Sequence, residues 1–186
     1  YDCTGVTMKL FNNEDIGLPV MDSKCCSIDD INDACSVCAN MGMEHFTFNY
    51  GDRFRTEVID RFINAYMNGM TPNPCIDCNR YLKFDKMLAF ARAHGLDYVV
   101  TGHYARTGID SDGQLWLYAG IDPVKDQSDF LAQLDSLQVA KSIFPLGGMP
   151  KSEVRRIAEE QRLPCAHRKD SQGICFLGKI NYRQFI

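Results

Sequence analysis

The chain contains no apolar run long enough to cross a bilayer, and it does not open with a basic residue cluster followed by an apolar stretch. Neither a membrane span nor a secretory leader is expected on this reading. There is no internal repeat and no low-complexity tract, so solenoid and compositionally biased architectures are excluded. Charge of one sign is also lacking. Lys and Arg number 20 against 24 Asp and Glu, for a net charge of -4. This balance argues neither for nor against a nucleic-acid partner, because only a local basic face matters. There is no initiator Met, and Thr4–Phe11 reads at once as a buried strand, so the expectation is a piece of a longer protein. Cysteine, by contrast, is plentiful. Nine in 186 residues are too few for a disulfide scaffold, and they point to reduced thiols, metal ligation or sulfur chemistry in a cytoplasmic protein. An apolar share of 45% with 24% charged residues suits one globular domain, or one domain and the start of another.

Strand-like segments at Thr4–Phe11, His45–Tyr50 and Asp97–His103 alternate with helical periodicity. The expected class is α/β, a parallel sheet with flanking helices. The first helix is expected to begin near Ser27, where Ser27 and Asp30 resemble a capping box, with Ile28, Ile31, Ala34, Cys35 and Cys38 on one face. A second is expected over about Arg53–Asn68, with Phe54, Val58, Phe62, Ala65 and Tyr66 inward and Gly69 at its C-cap. A third is expected to start at Asn79 as N-cap and stop at Gly95. Ala105–Ala119 alternates around Asp112-Gly113, a hairpin signal. From Ser128 the pattern reads as mainly helical, clearest over Ser152–Arg162 before Pro164.

The most informative stretch is Thr71-Pro-Asn-Pro-Cys-Ile-Asp-Cys-Asn79, two thiols three residues apart beside two prolines. The prolines predict a stiff loop ahead of the helix. Cys75 and Cys78 would then lie at the positive end of its dipole near Arg80, Lys83 and Lys86, conditions that depress a thiol pKa. Two cysteines do not make a closed zinc site, and Cys175, between Gly173 and Gly178, is the best remaining candidate for a third thiol. Cys35 and Cys38 have ligand spacing but sit on an apolar helix face, where they read as small buried hydrophobes. Cys25-Cys26 are either low-pKa thiols before a helix or incidental loop residues, and Cys3 and Cys165 carry no pattern.

Lys125-Asp126-Gln127 combines a cation, an anion and an amide. This could contact phosphate or a base edge, or be a solvated helix start capped by Asp126. Lys141, Lys151, Arg155, Arg156, Arg162, Arg168 and Lys169 suggest a phosphate-facing surface, diluted by Glu153, Glu159 and Glu160. Gly102-His103 ends a predicted parallel strand, where open α/β sheets place ligands, although a histidine there could equally be a satisfied core group.

Taken with Thr71–Phe84, Thr101-Gly-His-Tyr-Ala-Arg106, Lys125-Asp-Gln-Ser128, Phe144-Pro-Leu-Gly-Gly148 and Lys169-Asp-Ser-Gln-Gly-Ile-Cys-Phe176, the chain resembles the bacterial tRNA-specific 2-thiouridylase family. The likeness runs in order along nearly its whole length. It implies an adenine-nucleotide alpha-hydrolase-like fold and an enzyme that uses ATP and Mg²⁺ to adenylate C2 of the wobble uridine of tRNA, then replaces the activated oxygen by sulfur. It further implies Cys78 as nucleophile and Cys175 as the persulfide-bearing thiol, the two able to form a disulfide between steps. Asn73, Pro74 and Cys75 correspond to target-base contacts, Lys125, Asp126 and Gln127 to tRNA contacts, and Met8 and Gly102 to nucleotide contacts. The implied partners are tRNA and a sulfur-donor protein or sulfide. The corresponding domains are a nucleotide-binding catalytic part over 1–127, a helical tRNA-binding extension over 128–178 and the start of a further domain over 179–186.

Two departures from the family pattern stand out. The family's pyrophosphate loop precedes the strand at Thr4 and is absent from these 186 residues, so this segment alone is expected to lack thiolation activity. Many members also carry Asp at the position of Cys75. With Cys75, Cys78 and Cys175 together, three thiolates could hold a [4Fe–4S] cluster with one iron open to sulfide. Persulfide and cluster routes are both open, and so is a non-catalytic iron–sulfur or metal module with structural cysteines. A related amidating ligase would have no use for the cysteine pair.

Overall fold

The computed structural model describes residues 1–11, 28–168, 170 and 173–177, and these form two compact units. One unit comprises Tyr1–Pro74 with Arg162–Ile186; the other is Cys75–Gln161. The start of the first helix at Ser27, the pair Cys25-Cys26, Lys169, Gly178 and the expected further domain over 179–186 lie outside the described residues.

In the first unit, β1 (Gly5–Lys9) and β2 (His45–Asn49) pair in parallel, with Gly5 opposite His45 and Lys9 opposite Asn49. They are joined through α1 (Ile28–Asn40), the βα crossover predicted for a parallel pair. Side chains alternate along each strand, so Gly5, Thr7 and His45 share one face while Val6, Met8, Phe46 and Phe48 share the other. The helix α1 packs on the first face. A Cβ at Gly5 would come within 2.4 Å of Cys38 Sγ, so only glycine allows this approach. Cys38 is buried as expected and Cys35 half-buried, but Ile28, expected inward, is 73% exposed at the helix's first turn.

After β2 the chain turns directly into α2 (Gly51–Phe54), a π-helical stretch at Arg55–Ile59, and α3 (Asp60–Met67) without a break. The Asn49 side chain accepts the Gly51 amide at 3.0 Å, satisfying one of the orphan donors of this helix start. Phe54, Val58, Ile59 and Phe62 recur at helical spacing and are buried. Phe176 from the C-terminal segment packs edge-on against Phe54 and Phe62, each at 5.6 Å, and Phe11 stacks on Phe54 at 5.5 Å. This aromatic cluster is the core of the unit, with each ring contributing about 2–3 kcal/mol through burial. At the helix end Gly69 takes φ +73°. Its amide bonds Tyr66 O and the Met70 amide bonds Ala65 O, which is the paired closure that makes glycine the expected C-cap residue.

The second unit begins with α4 (Pro74–Asp77, its first residue shared with the boundary), a π-helical stretch at Cys78–Phe84, and α5 (Asp85–Ala93). This corrects two expectations. The cysteine pair does not lie on a loop, and Asn79 is not an N-cap but sits inside a continuous helix at 2% exposure. Proline at the first helical position explains the difference. Its missing N–H costs nothing there and its fixed φ suits the helix, so Pro74 starts the helix that the sequence reading had it prevent.

The expected third strand is short, β3 (Val99–Val100), and it pairs in parallel with β6 (Ser142–Ile143). That strand falls where helix was expected. The stretch after Ser128 is a mixture: a 3₁₀ turn (Ser128–Leu131), α6 (Ser136–Ala140), β6, a second 3₁₀ turn (Pro145–Gly148) and α7 (Lys151–Glu160). The expected mainly helical segment is thus interrupted, because Ser142 and Ile143 pair with β3 across more than forty residues of sequence. The predicted hairpin is present as β4 (Ala105–Ile109) against β5 (Leu115–Ala119), and Asp110 Oδ1 accepts the Asp112 and Gln114 amides at 2.9 Å to form its turn. Phe84, Ala105, Leu131 and Phe144 form a core cluster. Gly147 lies so close to the hairpin that a Cβ there would be 1.6 Å from Ala105 O.

Candidate active site

Cys75 and Cys78 stand one helical turn apart at the start of the long helix, so both side chains issue from one side of it. Cys78 is 7% exposed and Cys75 half-buried. Burial pushes the Cys75 thiol above its ordinary pKa, and the Lys83 charge only partly opposes this. The expected depression of this thiol is therefore corrected: desolvation outweighs the cation. A π-helical stretch beginning at Cys78 widens the turn, and the Arg80 carbonyl within it accepts from an outside donor. Gln138 Nε2 donates to Arg80 O at 3.3 Å, while Asn79 Nδ2 donates to Phe130 O at 3.1 Å. Asn79 Oδ1 is buried with no hydrogen-bond donor among the described residues, an acceptor held inside the unit directly after the nucleophile candidate.

His103 follows Gly102 beyond the carboxyl end of β3, and its Nδ1 lies 2.9 Å from Thr101 Oγ1. Phe84 and Phe144 flank its ring at 5.8 and 6.4 Å. Burial, assisted by the Lys83 charge, lowers its pKa to about 4, so the imidazole is neutral at physiological pH. Lys83 thus acts on both Cys75 and His103, which ties the cysteine helix to the end of β3 electrostatically. Sequence reasoning named Lys83 only as a nearby cation, left His103 open between a ligand position and a satisfied core group, and took Asn79 as a helix cap. The signal for Asn79 was its adjacency to Cys78, and it was misread as a cap.

Of the candidate tRNA contacts, two are engaged with their own backbone. Asp126 is partly desolvated, which works against ionisation, but the Gly120 and Ser128 amides and the Ser128 hydroxyl on its carboxylate prevail and hold its pKa below the usual range. Gln127 Oε1 accepts the Tyr104 amide at 3.1 Å, and the Gln127 amide donates to Tyr104 O at 2.9 Å. These bonds fix the Lys125-Asp126-Gln127 segment against the first residues of the hairpin, with the Lys125 side chain half-buried beside it. The basic surface on α7 is weaker than its composition suggests, since Arg156 is clamped by Glu153 and Glu160.

In the first unit, Met8 sits on the β1 face opposite α1, Asn73 is exposed and Pro74 buried. Cys175 is half-buried, placed by its neighbours Phe176 and Leu177, which are 3% and 5% exposed. Upstream, Arg168 binds Asp30, and its other nitrogen lies 2.8 Å from Asp33, so the segment leading to Cys175 is tied to α1. An open cavity of about 440 Å³ lies at the carboxyl ends of β1 and β2, lined by residues including Phe11, Asn49, Gly51, Arg53 and Arg55. That is where parallel α/β sheets receive ligands.

The described cysteines, Cys78 and Cys175 among them, are thiols and not disulfide halves, so the disulfide implied by the family resemblance is not present in this structure. Among the described residues no group of three or more His, Cys, Asp or Glu side chains is gathered to hold a metal ion. No helix among the described residues is long and apolar enough to cross a membrane.

The family model described as "tRNA methyl transferase HUP domain" matches residues 1–179. The chain is 44% identical over all its 186 residues to a "tRNA-specific 2-thiouridylase MnmA" of Chloroflexus aurantiacus, covering 51% of that protein. It is 42% identical over its full length to the protein of the same name in Staphylococcus carnosus, covering 49%. With that of Geotalea uraniireducens it shares 47% identity over 162 residues, which is 87% of the chain and 43% of the relative. The chain spans about half the length of the curated relatives it matches.

Proposed function

The chain belongs to the tRNA methyl transferase HUP domain family, and on that footing we propose that the protein carrying it is a tRNA 2-thiouridylase, an ATP-dependent sulfurtransferase acting on the wobble uridine. The observation that carries this reading is the cysteine helix: Cys78 buried in its second turn, Cys75 one turn before, and Lys83 charged toward Cys75 and His103. It is supported by the names of relatives that match the chain from end to end.

In the proposed reaction the uracil C2 oxygen attacks the α-phosphorus of ATP, the bond from that phosphorus to the β-phosphate oxygen breaks and pyrophosphate departs, with Mg²⁺ as the counter-ion the triphosphate requires. That step converts a poor leaving group into a good one. Sulfur then arrives as a persulfide on Cys175. Its terminal sulfur attacks C2, the C–O bond breaks and AMP departs. The Cys78 thiolate attacks the Cys175 sulfur, freeing the thiocarbonyl and leaving a Cys78–Cys175 disulfide, which an external thiol reductant returns to two thiols. The mechanism requires the two thiols to meet during turnover.

The residues of this chain act chiefly by positioning. Asn73, Pro74 and Cys75 meet the flipped base at the helix start, where the amides of the first turn face outward. Lys125 contacts the tRNA backbone, on a segment that Asp126 and Gln127 hold by their backbone bonds at the end of the catalytic part, just ahead of a tRNA-binding extension over 128–178. Met8 and Gly102, one on β1 and one beyond β3, contact the nucleotide.

Full-length protein, tRNA, ATP and a persulfide donor should yield 2-thiouridine by nucleoside mass spectrometry. Cys78→Ser and Cys175→Ser should each abolish the product, and only loss of Cys175 should abolish protein-bound persulfide. Full thiolation by either variant would sink the mechanism, and absence of 2-thiouridine with the intact protein and its full substrate set would sink the assignment.

A further inference from the structure

Three side chains outside the proposed active site come together where α1 covers the β1–β2 pair. His45, the first residue of β2, places Nδ1 3.1 Å from Cys35 Sγ on α1 and Nε2 2.8 Å from Thr7 Oγ1 on β1. The Gly5 site lies at the edge of the same cluster, 3.1 Å from the His45 ring as measured from a built Cβ. Cys35 is half-buried, and so reachable by a small molecule.

The two contacts accommodate more than one placement of the protons, and a thiolate–imidazolium pair is one of them. If the thiol proton moves to Nδ1, the imidazolium has two N–H groups and each already has an acceptor, the Cys35 thiolate on one side and Thr7 Oγ1 on the other. A thiolate so paired is the nucleophilic form of cysteine. We propose that Cys35 is a modification site for small hydroperoxides, with His45 as its acid–base partner and Thr7 as the group that orients the ring.

In the proposed step the Cys35 thiolate attacks one peroxide oxygen. An S–O bond forms, the O–O bond breaks, and the departing oxygen takes the proton that His45 received from the thiol. Sulfur loses two electrons and becomes a sulfenic acid, while the peroxide is reduced to water or an alcohol. The product places an oxygen between α1 and β2, in the unit that also carries Cys175. The inference does not depend on the proposed thiolation, because it uses none of the same side chains.

The test is sulfenic-acid trapping on the full-length protein. Hydrogen peroxide is added with dimedone, and each cysteine peptide is followed by mass spectrometry over time. Cys35 is expected to label at least about 10-fold faster than Cys3 and Cys165, although both of those are exposed. His45→Leu should bring Cys35 down to the rate of those two, and Thr7→Val should slow it while Thr7→Ser does not. Equal rates at Cys35, Cys3 and Cys165 in the unaltered protein would overturn the proposal without recourse to any variant. So would an unchanged Cys35 rate in a His45→Leu protein whose circular-dichroism melt shows it folded.

Discussion

Lowering the pH should destabilise this fold through His103. The ring lies beside Phe84 and Phe144, and burial together with the Lys83 charge moves its pKa from 6.5 to about 4. The folded pKa is therefore below the unfolded one, and between them the unfolded chain binds the proton that the folded chain refuses. Stability then rises with pH across this window. The neutral ring costs nothing above 6.5; the loss begins as pH falls through 6.5 and levels off near 4. Two-state linkage with these values gives a loss of about 2 kcal/mol by about pH 5 and about 3 kcal/mol by about pH 4. Denaturant titrations at about pH 7.5 and pH 5 on the full-length protein, beside His103→Gln, isolate the group, since glutamine does not titrate. The unaltered protein should lose about 2 kcal/mol more than the variant over that interval. NMR titration of the imidazole reads the same quantity directly. An imidazole that titrates near 6.5, or a variant with the same pH slope as its parent, would falsify the reasoning.

Three further outcomes follow from the packing. Phe176→Ala removes a ring held against Phe54 and Phe62 and should cost about 3–5 kcal/mol by denaturant melt; if the segment is anchored there, alkylation of Cys175 should also accelerate. Gly147→Ala puts a methyl group 1.6 Å from the Ala105 carbonyl oxygen, backbone against backbone. It should cost about 3 kcal/mol or more, and a melt unchanged from the parent would show that the hairpin approach is looser than described. Lys83→Met removes a charge that lowers two pKa values, so the Cys75 alkylation profile and the His103 NMR titration should both move upward; movement of only one would break the link between them.

Much of the fold around the candidate site was legible because its signals are local. The strand carrying Met8, the hairpin at Asp112-Gly113 and the glycine closures at Gly69 and Gly95 depend on residues close in sequence, and each appears where expected. Pro74 shows how a local signal can be misread. The same ring that ends a helix from within begins one at its first position, and only the observed backbone tells which applies. The Cys75 pKa shift failed for a different reason. Helix position and neighbouring lysines can be read from sequence, but the desolvation that outweighs them depends on what packs above the thiol.

By itself the sequence determined the alternation of strand and helix, the pair of thiols at Cys75 and Cys78, and the family, since periodicity, spacing and motif are properties of neighbouring residues. Tertiary structure alone decided that β3 pairs with β6, that Asn79 is interior, that His103 is held neutral, and that Cys35, His45 and Thr7 meet. Strand partners, burial and side-chain encounters come from segments tens of residues apart, and the free energy that selects them arises only when those segments exclude water from one another.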